Sequence, residues 1–174
     1  MPRKRAHSRN GERSPALHFA IPAVLALLLC LGAGCVPRGT SPETEAVLRI
    51  YDWKTGALLV EAPARVNSRL FFGWIHSWEN IPWNEYYHVD AGYALVLDAI
   101  TFPAFGAGIP EDKGRVCYVK DGLIHMEEID QVFPELVWLN SHTATREIIL
   151  DGALVTRGSD LPQHARLRLV IEKR

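Results

Sequence analysis

Residues 71–88 read FFGWIHSWENIPWNEYYH, and this stretch decides the fold. It holds three of the five tryptophans and two of the seven histidines of the chain. From residue 70 to residue 78 the side chains alternate between two faces, one of them aromatic, as in a β-strand. A second run with the same alternation follows after a short break. The stretch therefore predicts two antiparallel strands joined by a turn.

The position of that turn decides which side chains face each other. A turn centred on residues 80–81 places His76 directly opposite Glu85, and Trp78 opposite Trp83. Cross-strand neighbours lie about 4.5–5.5 Å apart at Cβ, so an imidazole and a carboxylate at these positions can touch. Four interpretations of the His76–Glu85 pair remain open: a ligand-binding pair, a general acid and base, two metal ligands, or a structural hydrogen bond.

The same residues resemble a known family. The motifs are Trp74-Ile75-His76-Ser77-Trp78-Glu79, then Pro82-Trp83 and Glu85, and later Gly106-Ala107-Gly108-Ile109-Pro110. These blocks are similar to the two motifs of the domain-of-unknown-function 1850 family, and the resemblance runs from about Leu58 to about Val155. The chain departs from the family pattern at Trp78, where a small aliphatic residue such as Val is expected.

This resemblance implies a cellular setting and no activity. Members of the family resemble small bacterial envelope proteins encoded beside fused TRAP transporters of the TAXI class. The resemblance thus implies a membrane component of a transporter as a partner. The alternative partner is a small-molecule ligand.

The N-terminal segment has the organisation of an export signal. Residues 1–14 carry five basic residues and one acidic residue, and an apolar run extends from Phe19 to Gly34. A basic region, a short apolar core and small residues after it are typical of a secretory signal peptide. The alternative is an uncleaved anchor, for which the run is short because a spanning helix needs about 20 apolar residues. In both cases the rest of the chain is expected outside the cytoplasm, on the periplasmic side of the envelope.

Residues 1–35 end in Leu31-Gly32-Ala33-Gly34-Cys35, which resembles a lipoprotein signal. The chain departs from that signal at Gly32, where a Leu is usual. Lipidation of Cys35 and the uncleaved anchor are therefore two alternative ways of holding the protein at a membrane. Residues 36–45 are polar and contain two prolines, which predicts a tether. Residues 46–174 are then expected to form a single domain, close to the commonest domain size.

The exported part of the chain is acidic. Removing the five basic residues and one acidic residue of the first 35 from the totals of 19 and 20 leaves 14 basic and 19 acidic residues. The remaining net charge is −5, with both signs interleaved and no basic stripe. Nucleic acid is therefore not expected as a partner.

Strand patterns follow one another through the predicted domain. Candidate strands cover residues 47–53, 57–62, 70–78, 83–89, 93–101, 115–119, 123–128, 136–139, 147–150 and 167–172. Lys120-Asp121-Gly122 has the composition of a type I′ hairpin turn. This spacing predicts an all-β fold, either an antiparallel sandwich or a partly closed barrel. The nearest helical candidate is Glu127–Phe133, and Cys117 is expected in the core.

The candidate ligand or interaction residues come from the hairpin and a later loop. They are His76, Ser77, Glu79, Trp83, Glu85, Gly106 and Gly108. Small residues in the loop let backbone amides approach a ligand, or serve a turn that needs positive φ. No catalytic residue, metal site or cofactor is predicted, because neither an activated nucleophile nor a converging ligand set is evident. The favoured function is a membrane-tethered binding domain accessory to a transporter. The alternative is an envelope hydrolase or lyase using a His-Glu acid/base pair.

Overall fold

The computed structural model describes residues 46–106 and 113–174. These residues form eleven strands and one 3₁₀ turn, Gly158–Asp160. The strands are β1 (Ala46–Asp52), β2 (Leu58–Ala64), β3 (Arg69–His76), β4 (Ile81–Val89), β5 (Leu95–Phe102), β6 (Val116–Lys120), β7 (Leu123–Phe133), β8 (Leu136–Leu139), β9 (Thr145–Leu150), β10 (Ala153–Arg157) and β11 (Arg166–Lys173).

The strands form two sheets of unequal width. The smaller sheet has the order β2-β1-β11-β8, and the larger has the order β10-β9-β3-β4-β5-β7-β6. Neighbouring strands are antiparallel throughout. The predicted all-β fold is confirmed, and of the two predicted arrangements the structure has the open one, two antiparallel sheets without closure into a barrel.

One hydrophobic core joins the two sheets. Leu167, Leu169 and Ile171 alternate along β11 and are buried, as the period of two along a strand requires. They belong to the same buried cluster as Ile100 and Ile148 of the larger sheet. Burying each such side chain stabilises the fold by about 1.5–3 kcal/mol. Because the buried residues come from the facing sides of both sheets, the two sheets pack as a sandwich.

The central hairpin exists, but the predicted register is wrong. Phe72 faces Glu85 and Trp74 faces Trp83, whereas His76 faces Ile81. Residues 77–80 form the turn, so its centre lies two residues earlier than expected. An even shift leaves each side chain on its predicted face, because faces alternate with a period of two.

Two other hairpins turn through Asp-Gly pairs. Asp121 and Gly122 both have positive φ, as do Asp151 and Gly152. Positive φ at both central residues defines the type I′ turn, so the turn predicted between β6 and β7 is confirmed. Strand β10, which follows the second turn, was not among the predicted strands.

Two further expectations are wrong. The helical candidate Glu127–Phe133 is the second half of β7, where Glu128 and Asp130 have positive φ and interrupt the alternation of the strand. Cys117 is exposed, because β6 is the outermost strand of the larger sheet and presents both faces to solvent.

The predicted signal segment, Cys35 and the tether lie outside the described residues. Within residues 46–106 and 113–174, no helix has the length and apolar character needed to cross a membrane.

Candidate functional site

A cleft of about 550 Å³ lies between the smaller sheet's edge strand β8 and the inner face of the larger sheet. Phe72 of β3 and Trp138 of β8 meet across it, with ring centroids 5.2 Å apart in an edge-to-face arrangement. The described residues that line the cleft are Phe72, Trp74, Glu85, Tyr87, Leu97, Lys113, Phe133, Glu135, Leu136, Val137, Trp138, Leu139, Ala144 and Thr145.

Strand alternation explains why aromatic side chains and a carboxylate share this cleft. Phe72 and Trp74 are two residues apart on β3, and Glu85 and Tyr87 are two residues apart on β4. Residues two apart on a strand point to the same face, and the register of β3 with β4 places Glu85 beside Phe72. The pattern of the sequence thus delivers Glu85 to the inner face of the sheet.

The Glu85 carboxylate is held by aromatic donors. Trp83 Nε1–H donates to Glu85 Oε1 at 3.1 Å, and the Tyr87 hydroxyl donates to Glu85 Oε2 at 2.7 Å. Trp74 lines the cleft as well and lowers the pKa of this carboxyl group. Both oxygens are therefore fixed in direction by side chains that carry no charge.

Burial changes the acid–base behaviour of this group. Loss of hydration raises the pKa of Glu85. Tyr87, Trp74, Trp83 and Lys113 each lower it and offset only part of that rise. Burial also raises the pKa of the Tyr87 phenol, and the neighbouring Glu85 carboxylate raises it further, so Tyr87 remains a neutral donor.

Glu85 has no cationic partner in contact among the described residues. The ion pairs of residues 46–106 and 113–174 all involve other carboxylates. In the same cleft, Glu135 is already paired with Arg168 at 3.6 Å. Lys113 acts on Glu85 only from a longer distance, through its charge.

A cluster of aromatic rings surrounds Trp83, which donates a hydrogen bond to the Glu85 carboxylate. Trp74 and Trp83 lie 5.5 Å apart, and Trp83 stacks on Phe102 at 4.9 Å, nearly parallel. His76 contacts both tryptophans at 5.7 and 5.8 Å. Such pairs add about 0.5–1.5 kcal/mol each beyond burial and fix the indole that binds Glu85.

Two buried nitrogens near this cluster have no hydrogen-bond partner. They are Nε1 of Trp138, on the cleft wall, and Nδ1 of His76. A buried polar atom without a partner costs about 1–3 kcal/mol. The Trp138 N–H is therefore a buried donor that has no acceptor among the described residues.

The structure separates the predicted site residues into three groups. Glu85 lies in the cleft and Trp83 directly supports it, whereas His76 lies beside Trp83 and forms no hydrogen bond with Glu85. Ser77 and Glu79 are exposed in the turn of the hairpin. Gly106 lies against Glu79, since a Cβ at Gly106 would come within 2.5 Å of that carboxyl group. Gly108 and Cys35 lie outside the described residues.

Sequence reasoning did not single out three residues of the cleft. Tyr87 was placed on the correct face but given no role, although its spacing of two from Glu85 is a usable signal. Trp138 and Lys113 come from segments distant from Glu85 in the chain: Trp138 reaches the cleft through the packing of β8 on the larger sheet, and Lys113 through the connection between β5 and β6.

The cleft is better suited to binding than to bond cleavage. Among its described lining residues there is no serine, cysteine or histidine. Nor do the described residues contain a group of three or more His, Cys, Asp or Glu side chains that could hold a metal ion. Glu85 therefore has no serine or cysteine nucleophile to activate among these lining residues.

Comparison with known families places this cleft in context. A family model described as Domain of unknown function (DUF1850) matches residues 71–156. The chain belongs to the DUF1850 family. The DUF1850 match contains every described residue that lines the cleft, whereas β1, β2 and β11 of the smaller sheet lie outside it. No curated protein and no solved structure matches the chain.

Proposed function

We propose that this DUF1850 protein is a membrane-tethered, extracytoplasmic domain that binds a small molecule in its aromatic cleft. The observation that carries the proposal is a cleft of about 550 Å³ in which a desolvated carboxylate is held in a fixed direction. Small-molecule sites are typically concave, about 300–1,000 Å³ in volume and mostly apolar, with a few placed polar groups.

The polar groups of the cleft fit that description. Glu85, Tyr87 and Lys113 are set among aromatic and aliphatic side chains. Packed side chains of both sheets surround these polar groups, so the cleft is largely formed before a ligand arrives. Preorganisation of this kind lowers the entropic cost of binding.

The cellular setting is the second part of the proposal. The basic N-terminal region and apolar run support export, and Cys35 supports attachment to a membrane. The resemblance of this family to envelope proteins encoded beside TAXI-class TRAP transporters supports a role as an accessory to such a transporter. The domain would then deliver a bound solute to the membrane component of the transporter, or signal to that component that the solute is present.

The alternative role, a hydrolase or lyase with His76 and Glu85 as acid and base, has weaker support. Acid/base catalysis needs both groups within reach of one substrate atom. His76 lies four residues beyond Phe72, the cross-strand neighbour of Glu85, and its ring packs on Trp74 and Trp83.

Native mass spectrometry of the protein isolated from its own cells tests the binding role. We expect a small molecule bound in a one-to-one ratio in the wild-type protein and in Ala153→Phe, which adds bulk at an exposed position of β10. Ala144→Phe adds the same bulk inside the cleft and is expected to lose the ligand. Equal ligand content in both variants would show that the cleft is not the binding site.

A further inference from the structure

We propose that the ligand of this cleft is a small organic ammonium, whose charge is balanced by Glu85 and whose alkyl groups contact the surrounding aromatic rings. This inference rests on the proposed function and specifies its ligand class. It follows from three features of the cleft: a carboxylate without a cation in contact, an aromatic wall and the charges that a ligand would meet there.

The first feature is the missing countercharge at Glu85. Trp83 and Tyr87 each donate one hydrogen bond to the carboxylate and do not neutralise its charge. A carboxylate away from water is costly unless a cation accompanies it, and Lys113 is not within contact distance. A bound ammonium would supply the missing charge, and the costly residue would then be explained by function.

The second feature is the aromatic wall. Five of the lining side chains are aromatic: Phe72, Trp74, Tyr87, Phe133 and Trp138. Aromatic faces attract ammonium groups by about 0.5–1 kcal/mol when exposed and about 2 kcal/mol or more when water is excluded, and cages of such rings bind quaternary ammonium groups. A carboxylate among aromatic rings is therefore suited to a soft, alkylated cation.

The third feature is the sign of the charge. The described lining contains two carboxylates, Glu85 and Glu135, and one cation, Lys113. Because Arg168 pairs with Glu135, the charges left for a ligand to meet are those of Glu85 and Lys113. An anion would be repelled by Glu85, and a neutral ligand would leave Glu85 without a counterion.

The charge also predicts how binding depends on pH. A proton and an ammonium compete for the same carboxylate, and burial raises the pKa of Glu85. Binding of the cation should therefore strengthen as the pH rises through that pKa. The other titratable groups of the described cleft are Tyr87, which stays neutral, Lys113 and Glu135.

Three solutes of nearly the same shape test the inference. Choline is the cation, 3,3-dimethylbutan-1-ol is its neutral counterpart and 3,3-dimethylbutanoate is the anion. Titrations followed by tryptophan fluorescence report on the cleft directly, because Trp74 and Trp138 line it. We expect choline to bind at least about tenfold more tightly than the alcohol, and the anion to bind most weakly.

Variants separate the charge from the shape of the cleft. Glu85→Gln keeps the size of the side chain and should remove the preference for choline over the alcohol. Glu61→Gln removes an exposed carboxylate of the smaller sheet and should leave that preference unchanged.

The outcomes distinguish this inference from the proposed function. Tighter binding of the alcohol or the anion, or a choline preference that survives in Glu85→Gln, would overturn the ammonium ligand while leaving the binding cleft in place. If none of the three solutes binds and the isolated protein carries no small molecule, both the inference and the binding role are wrong.

Discussion

At the scale of single residues, the cleft depends on one carboxyl group that the fold holds at a cost. Glu85 has lost hydration, and its aromatic donors do not fully compensate for that loss. Because its pKa is raised in the folded state, the native protein holds a proton more tightly than the unfolded chain does. Stability is therefore highest when Glu85 is protonated, and it decreases as the pH rises from the usual glutamate pKa of 4.5 towards the folded value.

Glu85→Gln is expected to stabilise the protein at neutral pH. The amide is neutral, and it can accept from Trp83 and donate to the oxygen of Tyr87. Thermal melts at a series of pH values should show the wild-type melting temperature falling as Glu85 ionises, while the variant lacks that component. A wild-type curve parallel to that of the variant would mean that Glu85 is hydrated in the folded state.

Asn140 is a second residue whose side chain organises its surroundings. It is fully buried, and its amide donates to the carbonyl oxygens of Gly158 and Pro162, each at 3.0 Å. It therefore ties the segment after β8 to the 3₁₀ turn.

Asn140→Ala is expected to destabilise the protein by about 2–3 kcal/mol, because it leaves buried carbonyl groups without donors. Asn84→Ala is the matched comparison, since Asn84 is half-buried and makes one side-chain bond, to Thr101. Its loss should cost about 1 kcal/mol. Urea unfolding of both variants gives the comparison, and equal losses would contradict a special role for Asn140.

At the scale of elements, the hairpin shows what the sequence could and could not provide. Alternation identified both strands and the faces of Trp74 and Glu85, because the period of two is a local property. The turn type was not recoverable, since Asn80-Ile81 is a weak turn signal. In the structure Asn80 takes positive φ and its N–H donates to the carbonyl oxygen of His76 at 2.7 Å.

The local character of sequence patterns also explains the wrong predictions for β6 and β7. An apolar run such as residues 116–119 predicts burial when the order of strands is unknown, and only the order shows that β6 is an edge. In β7, residues with positive φ break the alternation on which the prediction depends.

Gly158 shows a contact between elements that a larger residue would block. A Cβ at this position would lie 2.2 Å from the carbonyl oxygen of Thr145 at the start of β9. Gly158→Ala should therefore push the 3₁₀ turn away from the strand, at a cost of about 1–3 kcal/mol. At Gly92 the nearest atom to such a Cβ is a side-chain oxygen of Asp90 at 3.3 Å, so Gly92→Ala should cost less. Thermal melts of the two variants decide the order.

At the scale of the whole molecule, the cleft arises from packing between sheets. Phe72 and Trp138 are far apart in the chain and meet only because β8 lies over β3. Composition and alternation predicted an all-β fold with a choice of two architectures. They could not predict the cleft, because no local pattern records which strand of one sheet covers which strand of the other.

The compartment of the molecule is tested by a fusion and a substitution. A reporter enzyme active only in the cytoplasm, fused after Arg174, should be silent if the N-terminal segment directs export. Cys35→Ser should release the protein from membranes, because a fully lipidated cysteine carries enough acyl chains for firm attachment. A variant that still pellets with membranes would indicate an uncleaved anchor or a bound membrane partner.

The exposed thiol of Cys117 has a practical consequence at the bench. It lies on the edge strand β6 and is free, so air oxidation during purification should link copies of the protein covalently. Such species would run as dimers on a non-reducing gel and would distort the stoichiometry of any titration. Cys117→Ser should prevent this cross-link at no cost to the core, because the side chain is exposed.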